Sequence, residues 1–167
     1  MSVKKTYKIF IKENTRESFI ICFDANTENY YSLVKRERKK HNLQLIINSE
    51  RYLNLFEKLS ACNNVDLTDV EFLEEDTNFS KKINQLIKKQ DMMAVIREIS
   101  LFNQYNDIDI QSVRLKGQVN NANFLITLQN NGVIISDLNN TLFHLENTND
   151  DLRQLILAWL GLKDGER

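Results

Sequence analysis

Apolar and polar residues alternate through three neighbouring runs, 113–119, 124–129 and 133–137, and period two is the signature of a half-buried β-strand. Asn131-Gly132 reads as a two-residue type I′ turn, which needs φ > 0 at both central positions. That turn sets Leu128 opposite Ile135 and Thr127 opposite Ser136. Asn120-Asn121-Ala122-Asn123 reads as a looser turn, setting Val119 opposite Phe124 and Leu115 opposite Leu128. The expected antiparallel meander then carries Val113, Leu115, Val119, Phe124, Ile126, Leu128, Val133 and Ile135 on one face. Arg114, Lys116, Gln118, Leu125, Thr127, Gln129, Ile134 and Ser136 fall on the other, a face short of acids. A slip of one residue would exchange the two sets.

The same reading extends along the chain. Residues 7–12 and 18–23 predict a β-hairpin, and its second strand is apolar on both faces, as in a strand covered on both sides or one that meets a partner. Asp24 or Asn26 is placed to cap a helix over 27–40, followed by a strand over 43–47 and, with Ser49 as cap, a helix over 50–62. Only 70–72 reads as a strand in the acidic stretch after it. Helices are expected from Asp76, Thr77 or Asn78 to about residue 89 and from the Asp91 cap to about 104. Their apolar stripes shift phase, which predicts a helical hairpin. Residues 139–149 read as a loop with Leu142, Phe143 and Leu145 turned inward. A last helix over 150–160, stopped by Gly161, is expected to cover the meander. The fold class is α+β: an N-terminal β-hairpin with helix-strand-helix, a central helical hairpin and a C-terminal three-stranded meander. At 167 residues one domain over 1–167 is expected, with 1–76 and 77–167 as the natural subdivision.

Composition alters this picture in two places. The chain has no proline and only four glycines, so asparagine must supply turn positions with positive φ. The net charge of −1 argues against a protein that coats nucleic acid, yet residues 1–62 hold twelve Lys/Arg against seven Asp/Glu and residues 63–107 hold five against nine. No apolar run reaches the roughly 18 residues of a membrane span, and no signal-peptide pattern opens the chain. Cys22 and Cys62, far apart and in apolar surroundings, read as packed thiols of a cytoplasmic protein.

The search for chemistry returns little. No glycine precedes Gly117, so neither phosphate-cradling loop is present. Cys22, His41, Cys62 and His144 stand singly, without the paired spacing of a zinc site. Carboxylates gather at Asp66, Asp69, Glu71, Glu74, Glu75 and Asp76, and again at Asp107 and Asp109. With Lys116 they would have to supply a magnesium site, but Arg114 stands where a nuclease-type strand needs an acid. No metal or cofactor is expected.

Basic residues carry the functional expectation. Lys35, Arg36, Arg38, Lys39 and Lys40 crowd one helix end below Tyr30 and Tyr31. Lys81, Lys82, Lys88 and Lys89 form a second set, and Arg114 and Lys116 a third. A solvated helix end favoured by the macrodipole accounts for the first set without any function. Function turns on whether the sets share a face. The expectation is a non-catalytic accessory domain, inhibitor or immunity-type protein whose partner is another protein. The alternative is a nucleic-acid-binding module using Lys35, Arg36, Arg38, Lys39, Lys40, Arg114 and Lys116. A metal-dependent nuclease is the second alternative. No membrane association is expected.

Overall fold

In the computed structural model, residues 5–73, 77–136 and 150–165 are described. The chain runs β1 (Lys5–Lys12), β2 (Glu17–Phe23), α1 (Tyr30–Arg38), β3 (Asn42–Gln44), α2 (Ser49–Ser60), β4 (Val65–Phe72), α3 (Thr77–Lys88), α4 (Met92–Asn103), β5 (Ile110–Val119), β6 (Ala122–Gln129), β7 (Val133–Ser136), α5 (Asp150–Trp159) and β8 (Lys163–Asp164). This is the α+β architecture expected, built on one eight-stranded sheet of order β4-β5-β6-β7-β1-β2-β8, with β3 paired to β1. Pairing is antiparallel except between β2 and β8. The β1–β7 pairing joins the N-terminal hairpin to the meander, so both halves of the chain share one sheet.

The meander forms, with two corrections to its turns. The tight turn lies at Asn120-Asn121, both at positive φ (49° and 63°), between the paired residues Val119 and Ala122. Leu115 therefore faces Ile126. At the other tip only Gly132 has positive φ (76°), and its N–H bonds back to the Gln129 carbonyl. This is a three-residue loop ending in a left-handed glycine, and it adds one residue to the connection. The expected β7 register slips accordingly: Thr127 faces Ile135 and Leu128 faces Ile134. Ile134, not Ile135, enters the core, fully buried.

Asparagine also begins helices that were assigned other caps. Asn29 accepts from the Tyr31 N–H to start α1, and Asn48 accepts from the Arg51 N–H to start α2. Asp91 caps α4 as expected, accepting from the Ala94 N–H. Strand β4 is far longer than 70–72; its charged residues sit on its exposed face while Val65, Leu67 and Val70 are buried. The Asp76 cap, Glu74 and Glu75, His144 and the 139–149 loop lie outside the described residues.

The two faces of the sheet can be followed strand by strand. Val70, Val113, Leu128, Ile134, Tyr7 and Cys22 are successive partners on one face, and Asp69, Arg114, Thr127, Ile135, Thr6 and Phe23 on the other. The first face meets α2, α3, α4 and α5 in the main core. Helix α2 touches the meander directly, since the Tyr52 hydroxyl donates to the Leu128 carbonyl at 3.1 Å. Helix α5 shares that core but neighbours α2 and β8, so it is not the meander's sole cover. Helix α1 covers the opposite face over β1 and β2, packing Leu33 on Phe10 and Phe23. Both apolar faces of β2 therefore pack within the chain, with Phe19, Ile20, Ile21 and Cys22 left half-buried. None of the described helices is long and apolar enough to cross a membrane.

The turn assignments are tested by paired substitutions. At Gly132 an alanine would hold φ +76° with its Cβ 3.0 Å from the Leu45 carbonyl and 3.1 Å from Lys8 Nζ. Gly132→Ala is expected to cost about 1–3 kcal/mol in chemical denaturation. Asn121→Gly should change stability by less than about 1 kcal/mol, in the favourable direction.

Candidate functional site

Helix α1 sorts its side chains by helical spacing. Leu33 and Glu37, four apart, are both buried against the sheet. Tyr31, Lys35 and Arg38 recur at four and three on the outward side, all exposed. Glu37 is the surprise, a carboxylate only 2% exposed. Three donors reach it: Asn42 Nδ2 at 2.9 Å, Lys40 Nζ at 3.0 Å and Arg36 Nε at 3.3 Å. Arg36 also bridges to Glu28. Burial alone would raise the Glu37 pKa, but Asn42, Lys40 and Arg36 together hold it below the usual carboxylate value.

The five-cation run therefore divides. Arg36 and Lys40 close the helix end over Glu37, a structural duty. Lys35, Arg38 and Lys39 are exposed and make no ion pair among the described residues. Tyr31, 72% exposed, stands at the head of their stripe. The sequence hid this division because Glu37 looks like one charge in a charged run; its four-residue spacing from Leu33 was the available signal.

The second and third basic sets do not join the first. Arg114 and Lys116 lie on the α1 side of the sheet, with Thr127 and Leu125 as neighbours on β6. However, the end of α1 is tied through Glu37 to Asn42, which pairs with Lys12, whereas Arg114 aligns with Thr6 through β6 and β7. Six residues along the strands and three strands across amount to roughly 25 Å. The face is also not short of acids, because β4 places Asp66 beside Lys116 and Asp69 beside Arg114. Lys82 is paired with Glu98 on α4, and α3 packs its Ile83 and Ile87 into the main core.

Carboxylates are dispersed as well. Asp109, whose backbone carbonyl accepts from the Leu73 N–H, lies at one end of the β4–β5 pair, and Asp66 and Lys116 meet at the other, roughly 20 Å away. Among the described residues no group of three or more His, Cys, Asp or Glu could hold a metal ion. Cys22 and Cys62 are half-buried and form no disulfide, and exposed His41 contacts Glu13 at 3.3 Å.

Lys8 is another buried ionisable group that the sequence pattern does not reveal. Lys8 is fully buried on the α1 side of β1. Its ammonium donates to the Leu45 carbonyl at 3.2 Å and to the Asn131 carbonyl, and it lies 5.5 Å from the Phe10 ring centroid and 5.8 Å from that of Tyr30. Two carbonyls and two π-faces hold the cation. Burial still lowers its pKa to about 8. An alternating β-strand pattern gives no warning of such a residue.

Compared with protein-family models, curated proteins and solved structures, the chain finds no match.

Lys8 and Glu37 both make stability rise with pH, in separate pH ranges. With Lys8 at about 8 in the fold and 10.5 unfolded, the unfolded chain binds more protons between these values, so stability rises with pH there, by at most about 3 kcal/mol. Lys8→Met should lack that rise. Glu37, depressed in the fold, stabilises above its unfolded pKa and loses this as pH falls through the folded value. Glu37→Gln should flatten the acid limb. Thermal unfolding against pH, each variant beside the parent, reads both.

Proposed function

We propose that the protein is a non-catalytic binding domain that docks an acidic protein surface on the outward stripe of α1. The carrying observation is the division of the basic run: Arg36 and Lys40 are committed to Glu37, while Lys35, Arg38 and Lys39 project beside exposed Tyr31. Three cations that make no ion pair among the described residues, at the end of a short helix, raise encounter rates with a negative partner and fix its orientation. An adjacent exposed tyrosine adds apolar area with little rotamer entropy to lose. Arg114 and Lys116, distant and flanked by Asp69 and Asp66, are left out of this surface.

Tyr31 beside cations is also the chemistry of a single-stranded nucleic-acid platform, which keeps that alternative as the second reading. Fluorescence anisotropy with labelled polyglutamate and with a labelled single-stranded oligonucleotide separates the two. Polyglutamate should bind with strong salt dependence, and K35E/R38E should weaken it at least tenfold. K81E/K89E, with the same change in net charge, should leave it within twofold. Oligonucleotide binding tighter than polyglutamate, lost in K35E/R38E, would transfer the surface to nucleic acid. Equal effects of both double variants would remove the assignment to α1.

A further inference from the structure

Strand β4 is one edge of the sheet, and its backbone polar groups are managed unevenly. The Gln118 N–H donates to the Asn64 carbonyl at 3.0 Å, which fixes the phase of the antiparallel ladder. By alternation Asp66 bonds to Lys116, and the N–H and C=O groups of Val65 and Leu67 point away from the sheet. Val70 points the same way, beyond an irregularity in the register between Leu67 and Asp69. There the edge is closed by a side chain: Asn84 of α3 accepts from the Val70 N–H at 3.4 Å and donates to its carbonyl at 3.5 Å. A primary amide on a helix thus imitates the neighbouring strand. No such partner serves Val65 or Leu67 among the described residues.

These two residues are each only 6% exposed, so their edge groups are not simply bathed in bulk water. They line a cleft of about 500 Å³ between the end of α2, the edge of β4 and the α3–α4 turn. Its apolar lining includes Leu59, Ile87 and Met92. Its charged lining is balanced, Lys88 and Lys116 against Asp66 and Asp91. Nearly buried backbone groups are almost always paired with protein or water. Here two donors and two acceptors, at strand spacing, face a cavity of the size that holds ligands.

We propose that this cleft receives an extended, uncharged peptide segment of a partner protein, which adds a strand to β4 at Val65–Leu67. The edge supplies the hydrogen bonds of strand addition, and the apolar lining takes an aliphatic side chain at alternate positions. The balanced rim favours no net charge on the segment. Asn84 and the irregular register at Thr68 limit the addition to about three residues, roughly 10 Å of strand. The surface is separate from the α1 stripe and stands or falls independently of it.

Amide hydrogen exchange on the full chain, with the neutral probe Ac-Thr-Val-Thr-Val-Thr-NH2 at millimolar concentration, tests the proposal. Without peptide, the Val65 and Leu67 amides should exchange at least tenfold faster than that of Asp66. Peptide should slow them at least tenfold, and the same peptide N-methylated throughout should not. Met93→Asp, a substitution at a 68% exposed residue lining the cleft, should alter the peptide midpoint while leaving Asp66 protection unchanged. The proposal is overturned if Val65 and Leu67 are as protected as Asp66 in free protein, or if peptide leaves them unchanged. It is also overturned if their protection grows with protein concentration, which would make a second copy the occupant.

Discussion

Pairing of β1 with β7 is the constraint on which the molecule depends. It joins a hairpin from one end of the chain to a meander from the other, and it sets the two faces of the whole sheet. Tyr7 and Ile9 fall into the main core, while Lys8 and Phe10 fall under α1. A one-residue slip here would drive Lys8 into the main apolar core and take Tyr7 and Ile9 out of it, so the hydrophobic effect enforces the register. Lys8 reinforces the joint through the Asn131 carbonyl at the β6–β7 turn and the Leu45 carbonyl after β3. The burial that depresses its pKa is the cost of tying three segments at one atom.

The same register explains how the surfaces divide. Because α1 and Arg114 lie on one side of the sheet but at opposite ends, a chain with three basic clusters presents separate small fields. Glu37 then selects among the α1 cations. A buried carboxylate must be met by charge and hydrogen bonds, so Arg36 and Lys40 turn towards it and Lys35, Arg38 and Lys39 remain outward. The proposed docking stripe is a by-product of how the helix end is closed.

Much of this was written in local pattern. Period-two alternation located all three meander strands, two strand-like runs about a polar turn located the N-terminal hairpin, and the Asp91 cap and phase shift located the α3–α4 hairpin. What local pattern could not supply was the number of residues in a turn. Asn131-Gly132 and Asn120-Asn121 both carry left-handed formers, and the sequence alone does not say which tip takes two residues and which takes three. The single extra residue moved Ile134 into the core. Strand β4 was hidden because its outward positions are Asp66, Asp69 and Glu71, and because the extra residue at Thr68 shifts the alternation between Leu67 and Val70. Sites were less legible still. The roles of Lys8 and Asn84 are set by residues the chain brings near only on folding, whereas Glu37 is met by neighbours within five residues and only its burial was hidden.

The claim at the centre of this account is that a small part of the basic run, and not the run as a whole, forms the docking surface. Backbone and side-chain chemical-shift mapping during a polyglutamate titration addresses it most directly. The account expects perturbations centred on Tyr31, Lys35, Arg38 and Lys39 that vanish as salt is raised, with Arg36 and Lys40 little moved. Perturbations centred on Arg114 and Lys116, or spread evenly over every lysine and arginine, would contradict it.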